Sequence, residues 1–293
     1  MNGTAPELKI PSQMLLRLQA TYDSLKRAER SAADLLLQRP GFVASSTIAA
    51  VSEAVGVSQP TFVRLAQRLG YSGYAQMKDV LLSGEEAERA IPDSPYECVS
   101  KESSAHDIAQ SIALASIQAL NDLLMVMKPE DYERAAAALV GASRCAFFGS
   151  GDSGIVARSA FQKFLRVGAI CHTAEDTDTQ VMLCSLMDSS CVGVFISHSG
   201  NTTSVVHAAK LARATGATTI AVTNFPYSHL AKVCDIVLLT ATFVECGGEV
   251  VTQRIAQLAI IESLFIIYRM RKEESCAPAL AKADAAINAA TKL

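Results

Sequence analysis

Apolar residues recur along this chain in two rhythms, and the change of rhythm divides it. From residue 12 to residue 82 they return every three or four positions, the spacing of one helix face, with breaks at Pro40-Gly41, Gly56 and Gly70. Residues 83–104 lose that rhythm; Ser83-Gly84, Pro92, Ser94-Pro95 and Ser103-Ser104 give the polar, broken character of a linker. A helix is predicted over residues 106–127, and Pro129 can open the next one in its first turn. Beyond residue 143 the rhythm becomes one of short apolar runs, at 145–148, 169–172, 191–196, 218–223 and 235–240, with helical stretches such as 155–167 and 203–215 between them. Strands that are apolar throughout, rather than alternating, are buried on both faces. The pattern therefore predicts a five-stranded parallel sheet between helices. The expected organisation is an all-α domain over 1–82, a linker over 83–104 and an α/β domain over 105–293.

Within the helical part, residues 48–67 carry the most specific signal. Val51, Val55, Val57, Phe62 and Leu65 have the spacing that pairs two short helices, and Ser52 is small where they approach. Gly56 falls at the turn, where positive φ is wanted. Ser58 can cap the second helix, Pro60 is tolerated in its first turn, and Gly70 stops it. This is a helix-turn-helix arrangement, whose second helix enters the DNA major groove N-terminal end first. Ser58, Gln59, Thr61 and Arg64 are then placed to reach DNA, with Arg68 able to touch a phosphate. Gln and Arg match the bidentate geometries of adenine and guanine.

In the α/β part, two loops follow strand candidates: Gly149-Ser150-Gly151-Asp152-Ser153-Gly154 and Ser197-His198-Ser199-Gly200-Asn201-Thr202. Both belong at the carboxyl ends of parallel strands, the ligand edge of such sheets. Their chemistry is anion capture by neutral donors, with glycines admitting a phosphate to the backbone and hydroxyls and helix N-terminal N–H groups bonding its oxygens. Neither loop has the Gly-Lys-Ser/Thr ending of a nucleoside-triphosphate loop or a dinucleotide fingerprint with its acid.

Composition adds three points. Among 293 residues 50% are hydrophobic and Trp is absent, so the cores must be aliphatic. Residues 1–82 hold nine Lys/Arg against six Asp/Glu, a basic head on a chain of net charge −3; this suits nucleic-acid contact by the head. No stretch reaches the roughly 18–20 uninterrupted apolar residues of a membrane span, and the first ten residues lack the pattern of a secretion signal. A cytoplasmic protein without membrane contact is expected. The eight cysteines show no metal-binding spacing and read as reduced, buried thiols, with no metal and no cofactor implied.

The stretch GVSQPTFVRLAQRLGYSGYAQMK, residues 56–78, resembles the N-terminal domain of the RpiR family of bacterial transcription regulators, and residues 25–40 resemble the helix before it. Gly149 to Ser153, Ser197 to Thr203 and the runs that follow resemble the SIS (sugar isomerase) domain, in order, from about Ala105 to Arg271. The resemblance implies a DNA-binding head and a phosphosugar-binding SIS domain. It implies Ser153, Ser197, Ser199 and Thr202 as phosphosugar contacts, with Ser150, His198, Gly200 and Asn201 as neighbours. Glu245 aligns with an acid that could bond a sugar hydroxyl, or be a solvated loop carboxylate. Arg254 could be a contact from a partner subunit or part of a dimer surface.

Two function classes compete. One is a regulator whose double-stranded operator DNA is bound or released according to a sugar-phosphate effector. It would act as a homodimer or higher homo-oligomer through residues 106–127 and 253–271, with residues 92–95 transmitting the change. The other is a sugar-phosphate isomerase with a helical appendage. Isomerisation needs a general base, for which Glu175, Asp176 and Glu245 are the candidates. An isomerase has no use for a DNA-binding head, so the expectation is a regulator and not an enzyme.

Overall fold

Two glycines set the helical hairpin of the first unit. Gly56 (φ 67°) and Gly70 (φ 87°) adopt the left-handed conformation, and each closes its helix with paired backbone bonds. The N–H groups of Gly56 and Val57 reach Glu53 and Ser52 carbonyls, and those of Gly70 and Tyr71 reach Gln67 and Ala66. The computed structural model describes residues 10, 12–22, 25–83, 103–241 and 252–290. The chain forms two compact units, Met1–Ser94 and Pro95–Leu293. The expected linker lies mostly outside the described residues, as do residues 92–95.

The first unit contains α1 (Ser12–Thr21), α2 (Arg27–Gln38), α3 (Pro40–Ser45), α4 (Ile48–Val55), α5 (Gln59–Arg68) and α6 (Tyr74–Ser83). Pro40-Gly41, expected as a break, starts a helix: Pro40 occupies the first turn of α3, where its missing N–H costs nothing. Thr47 caps α4 by accepting from Ala50 N–H. Val51, Phe62 and Leu65 are buried with Leu18, Leu36, Leu69 and Met77, while Val55 and Val57 pack at the margin. Phe62 meets Tyr74 edge-on, with ring centroids 5.9 Å apart. The Tyr74 hydroxyl donates to Val43 O at 2.8 Å, tying α6 to α3.

The second unit begins with α7 (Ala105–Val126) and α8 (Pro129–Gly141). It continues through β1 (Arg144–Gly149), α9 (Asp152–Arg166), β2 (Cys171–Ala174), α10 (Thr177–Ser185), β3 (Cys191–Ile196) and α11 (Thr203–Ala214). Next come β4 (Thr218–Thr223), α12 (His229–Val233), β5 (Ile236–Leu239), α13 (Gln253–Arg271) and α14 (Glu273–Ala290). The five strands are parallel, in the order β2-β1-β3-β4-β5. Successive residues of a strand face opposite sides, so Phe147 and Phe148 feed two different cores. One holds Phe147, Phe164, Ile260 and Tyr268 under α7, α8, α9 and α13; the other holds Phe148, Phe195, Val205 and Leu230 under α10, α11 and α12.

The second strand starts two residues later than its apolar run. Gly168 (φ 81°) is still unwinding α9, with Gly168 and Ala169 N–H bonded to Leu165 and Phe164 carbonyls; Ile170 is left exposed. The six described cysteines are free and buried, and burial pushes Cys184 and Cys234 up to about 12. Among the described residues no group of three His, Cys, Asp or Glu could hold a metal. Among the described residues one helix, α7, is long and apolar enough to cross a membrane by length and composition.

Candidate functional site

The strand order reverses between β1 and β3, and a ligand crevice opens outside the carboxyl ends of strands at such a switch point. Both hydroxyl-rich loops leave from there. Gly149 ends β1 where a Cβ would strike the Ser153 backbone, and Gly151 turns the chain at φ 57°. The helix therefore begins at Asp152, three residues before the apolar pattern announces it, and Ser153 lies in its first turn. There the free N–H groups and the helix dipole favour an anion.

The second loop is braced from below. Gly200 N–H donates to Ser197 Oγ at 3.1 Å, and Asn201 N–H to Ser199 Oγ at 3.2 Å. Ser197 and Thr202 hydroxyls lie 3.0 Å apart, so one of the pair keeps a hydrogen to offer a ligand. Gly200 has φ 60°, and a Cβ there would overlap Ser228 Oγ. Asn201 accepts from His229 N–H at 3.1 Å and so anchors the loop to α12. Ser150 and Ser204 hydroxyls approach to 3.4 Å, bringing the first loop to the start of α11, which the second loop leads into. His198 packs edge-on against Phe225 with ring centroids 5.9 Å apart.

Three polar residues that no local motif announces hold the first loop. Gln180 donates from Nε2 to Gly149 O and Ala174 O, both at 2.9 Å. Gln257, fully buried in α13, donates to Ser153 Oγ at 3.3 Å. Because Ser153 accepts there, its own O–H is free to donate. Gln253 donates to Asp152 Oδ2 at 3.4 Å, and Arg254 Nε lies 3.7 Å from the same oxygen. Arg254 thus pairs within its own chain. Of the acid–base candidates, Glu175 pairs with exposed Arg158 at 3.1 Å. Asp176 caps α10 by accepting from Thr179 N–H at 2.8 Å, a bond that holds its carboxyl below the usual range. Glu245 lies outside the described residues.

In the first unit, Ser58 before α5 and Gln59, Arg64 and Arg68 on it are exposed. Thr61, expected on the DNA side, is turned inward at 1% exposure. Its hydroxyl lies 3.0 Å from Ser58 Oγ and accepts from Arg64 Nη2 at 3.3 Å. Its polarity serves to hold neighbours, since a threonine so buried presents nothing to a groove. Ser58 sits at the cap position but spends its hydroxyl on Thr61 instead of a backbone N–H.

Residues 12–88 match the helix-turn-helix domain of the rpiR family, and residues 138–267 match the SIS domain. The chain is 32% identical over 260 residues to an HTH-type transcriptional regulator of Thermotoga maritima, covering 88% of this chain and 92% of that one. It is 30% identical over 254 residues to the HTH-type transcriptional regulator HexR of Pseudomonas aeruginosa, covering 86% and 87%. Its fold resembles that of the Vibrio vulnificus NanR protein complexed with ManNAc-6P, with a TM-score of 0.61 at 22% identity over 96% of this chain and all of that one. With a relative above 30% identity along nearly its whole length and both domain types in order, the chain belongs to the RpiR family of helix-turn-helix transcription regulators with an SIS domain.

Proposed function

We propose that the protein binds operator DNA through α5 and that its operator affinity is set by a sugar phosphate held between the loops after β1 and β3. The observation that carries the effector half is the approach of the first loop to the start of α11 at the switch point, with Ser150 and Ser204 hydroxyls 3.4 Å apart. Ser153, Ser197, Ser199 and Thr202 surround the phosphate in this reading, with Ser150, Gly200 and Asn201 beside it. Glu245 is the proposed partner of a sugar hydroxyl. The likeness in fold to the NanR protein complexed with ManNAc-6P supports a phosphorylated sugar as the ligand class. Family membership supports the DNA half, with Gln59 and Arg64 reading bases and Ser58 and Arg68 on the backbone. The protein acts in the cytoplasm, where DNA and phosphosugars meet. A regulator is favoured over an isomerase because the chain carries the helix-turn-helix domain of a transcription-regulator family, for which an isomerase has no use.

A thermal-shift panel of sugar phosphates and their unphosphorylated sugars tests the pocket, since a ligand of the folded state raises the melting temperature. The expected result is a shift with one or a few phosphosugars that Ser153→Ala with Ser197→Ala removes. A flat panel counts against it. On the DNA side, Arg64→Ala should weaken binding to a selected duplex by about tenfold or more and leave the phosphosugar shift unchanged. Undiminished duplex binding would refute the assignment of α5.

A further inference from the structure

The two arginines assigned to DNA share an internal partner on another helix. Glu29, in the first turn of α2, is 3% exposed. Its Oε2 accepts from Lys26 N–H at 3.0 Å, which caps the helix. Its Oε1 lies 3.7 Å from Arg64 Nε and its Oε2 3.4 Å from Arg68 Nε. Arg64 and Arg68 stand one turn apart on α5, so a single buried carboxylate draws both guanidinium groups to the same side, and Thr61 Oγ1 holds Arg64 from a third direction at 3.3 Å. A glutamine would cap α2 as well. What the charge adds is the fixing of the arginines.

Two physical consequences follow. A long arginine side chain loses rotamer freedom when it docks, and one already fixed loses less. An arginine that swings away to a random phosphate also leaves a buried carboxylate less compensated, which is unfavourable. Capture of any phosphate is thereby penalised relative to a docking pose in which both arginines keep their places. We infer that Glu29 is a positioning residue for DNA recognition, which sets discrimination between operator and non-operator DNA by holding Arg64 and Arg68. This role rests on the proposal that α5 reads DNA.

The test uses the full chain and a duplex that the wild type enriches from a random-sequence pool, against a scrambled duplex of equal length, at several salt concentrations. Glu29→Gln retains the acceptor for Lys26 N–H. The affinity ratio between the two duplexes should fall about tenfold, with scrambled-duplex affinity unchanged or tighter. Its salt slope should steepen by about one as a released arginine takes a phosphate. A ratio and slope equal to wild type, while Arg64→Ala loses the enriched duplex, overturn the role of Glu29 and leave DNA reading by α5 intact. Failure of the wild type to enrich any sequence removes DNA reading and this role together. Should Glu29→Gln lose its cooperative melting transition, Arg68→Lys probes the same contact from α5 with the charge kept. A lowered ratio supports the role and a wild-type ratio overturns it.

Discussion

Single residues decide whether a Ser/Gly loop is an anion site or an ordinary turn. In the proposed pocket, Ser153 is left its hydroxyl hydrogen for a ligand because Gln257 supplies the donor that Ser153 accepts. Gln257→Leu keeps the volume and removes that donor together with a buried, unpartnered Oε1. Stability should change by no more than about 1 kcal/mol, while phosphosugar affinity falls about tenfold, the worth of one hydrogen bond; isothermal titration and thermal melting separate the two. Unchanged affinity would detach α13 from the site. The contrast in legibility is physical. Ser153, Ser197 and Thr202 belong to local motifs and could be named from sequence. Gln257 lies 104 residues from the serine it orients, and a lone glutamine on a helix carries no local signal. Thr61 failed in the opposite direction: polarity marked it for DNA, but burial, which depends on α2 and α4 packing around it, gave it to Arg64.

At the scale of elements, the ring cluster of Phe164 shows what ties α9 to the sheet and to α13. Its centroid lies 5.0 Å from Phe147, 5.7 Å from Phe265 and 5.0 Å from Tyr268. Phe164→Ala should cost about 3–5 kcal/mol, read in the denaturant midpoint. Because α9 presents Ser153, the loop after β1 should loosen with it. The buried carboxylate of Asp122 in α7 works against the fold. Burial raises its pKa, and the bond from Gln118 at 2.6 Å only partly offsets this. The penalty is absent below the unfolded value, roughly pH 4, and grows as pH rises through the raised folded value. Asp122→Asn should therefore raise the melting temperature at pH 7 and lose that advantage near pH 3; equal melting at both values would refute it. Strands at 191–196 and 218–223 were legible to the residue because they are central and apolar on both faces. The edge strand β2 was not, since its half-buried Cys171–Ala174 lacks the continuous apolar run and Gly168 delays its start.

For the whole molecule, α7 exposes Ile108, Leu114, Ile117, Leu120, Leu124 and Met125 on a helix that also buries Ala115, Ala119 and Leu123, the last of these in the core shared with α13. Such a strip fits the expected homodimer, in which two copies of α5 would read symmetric half-sites. Ile117→Glu with Leu124→Glu should halve the mass measured by light scattering and weaken binding to a two-half-site duplex more than to a single half-site; an unchanged mass would place the interface elsewhere. In the proposed function a phosphosugar changes operator affinity, by as much as its affinities for the two arrangements differ. It is tested most directly by fluorescence anisotropy of the enriched duplex, titrated with protein at fixed salt, with and without the phosphosugar that raises the melting temperature. The duplex affinity should shift about fivefold or more in either direction, an effect abolished by Ser153→Ala with Ser197→Ala. An identical affinity with the pocket saturated would contradict it.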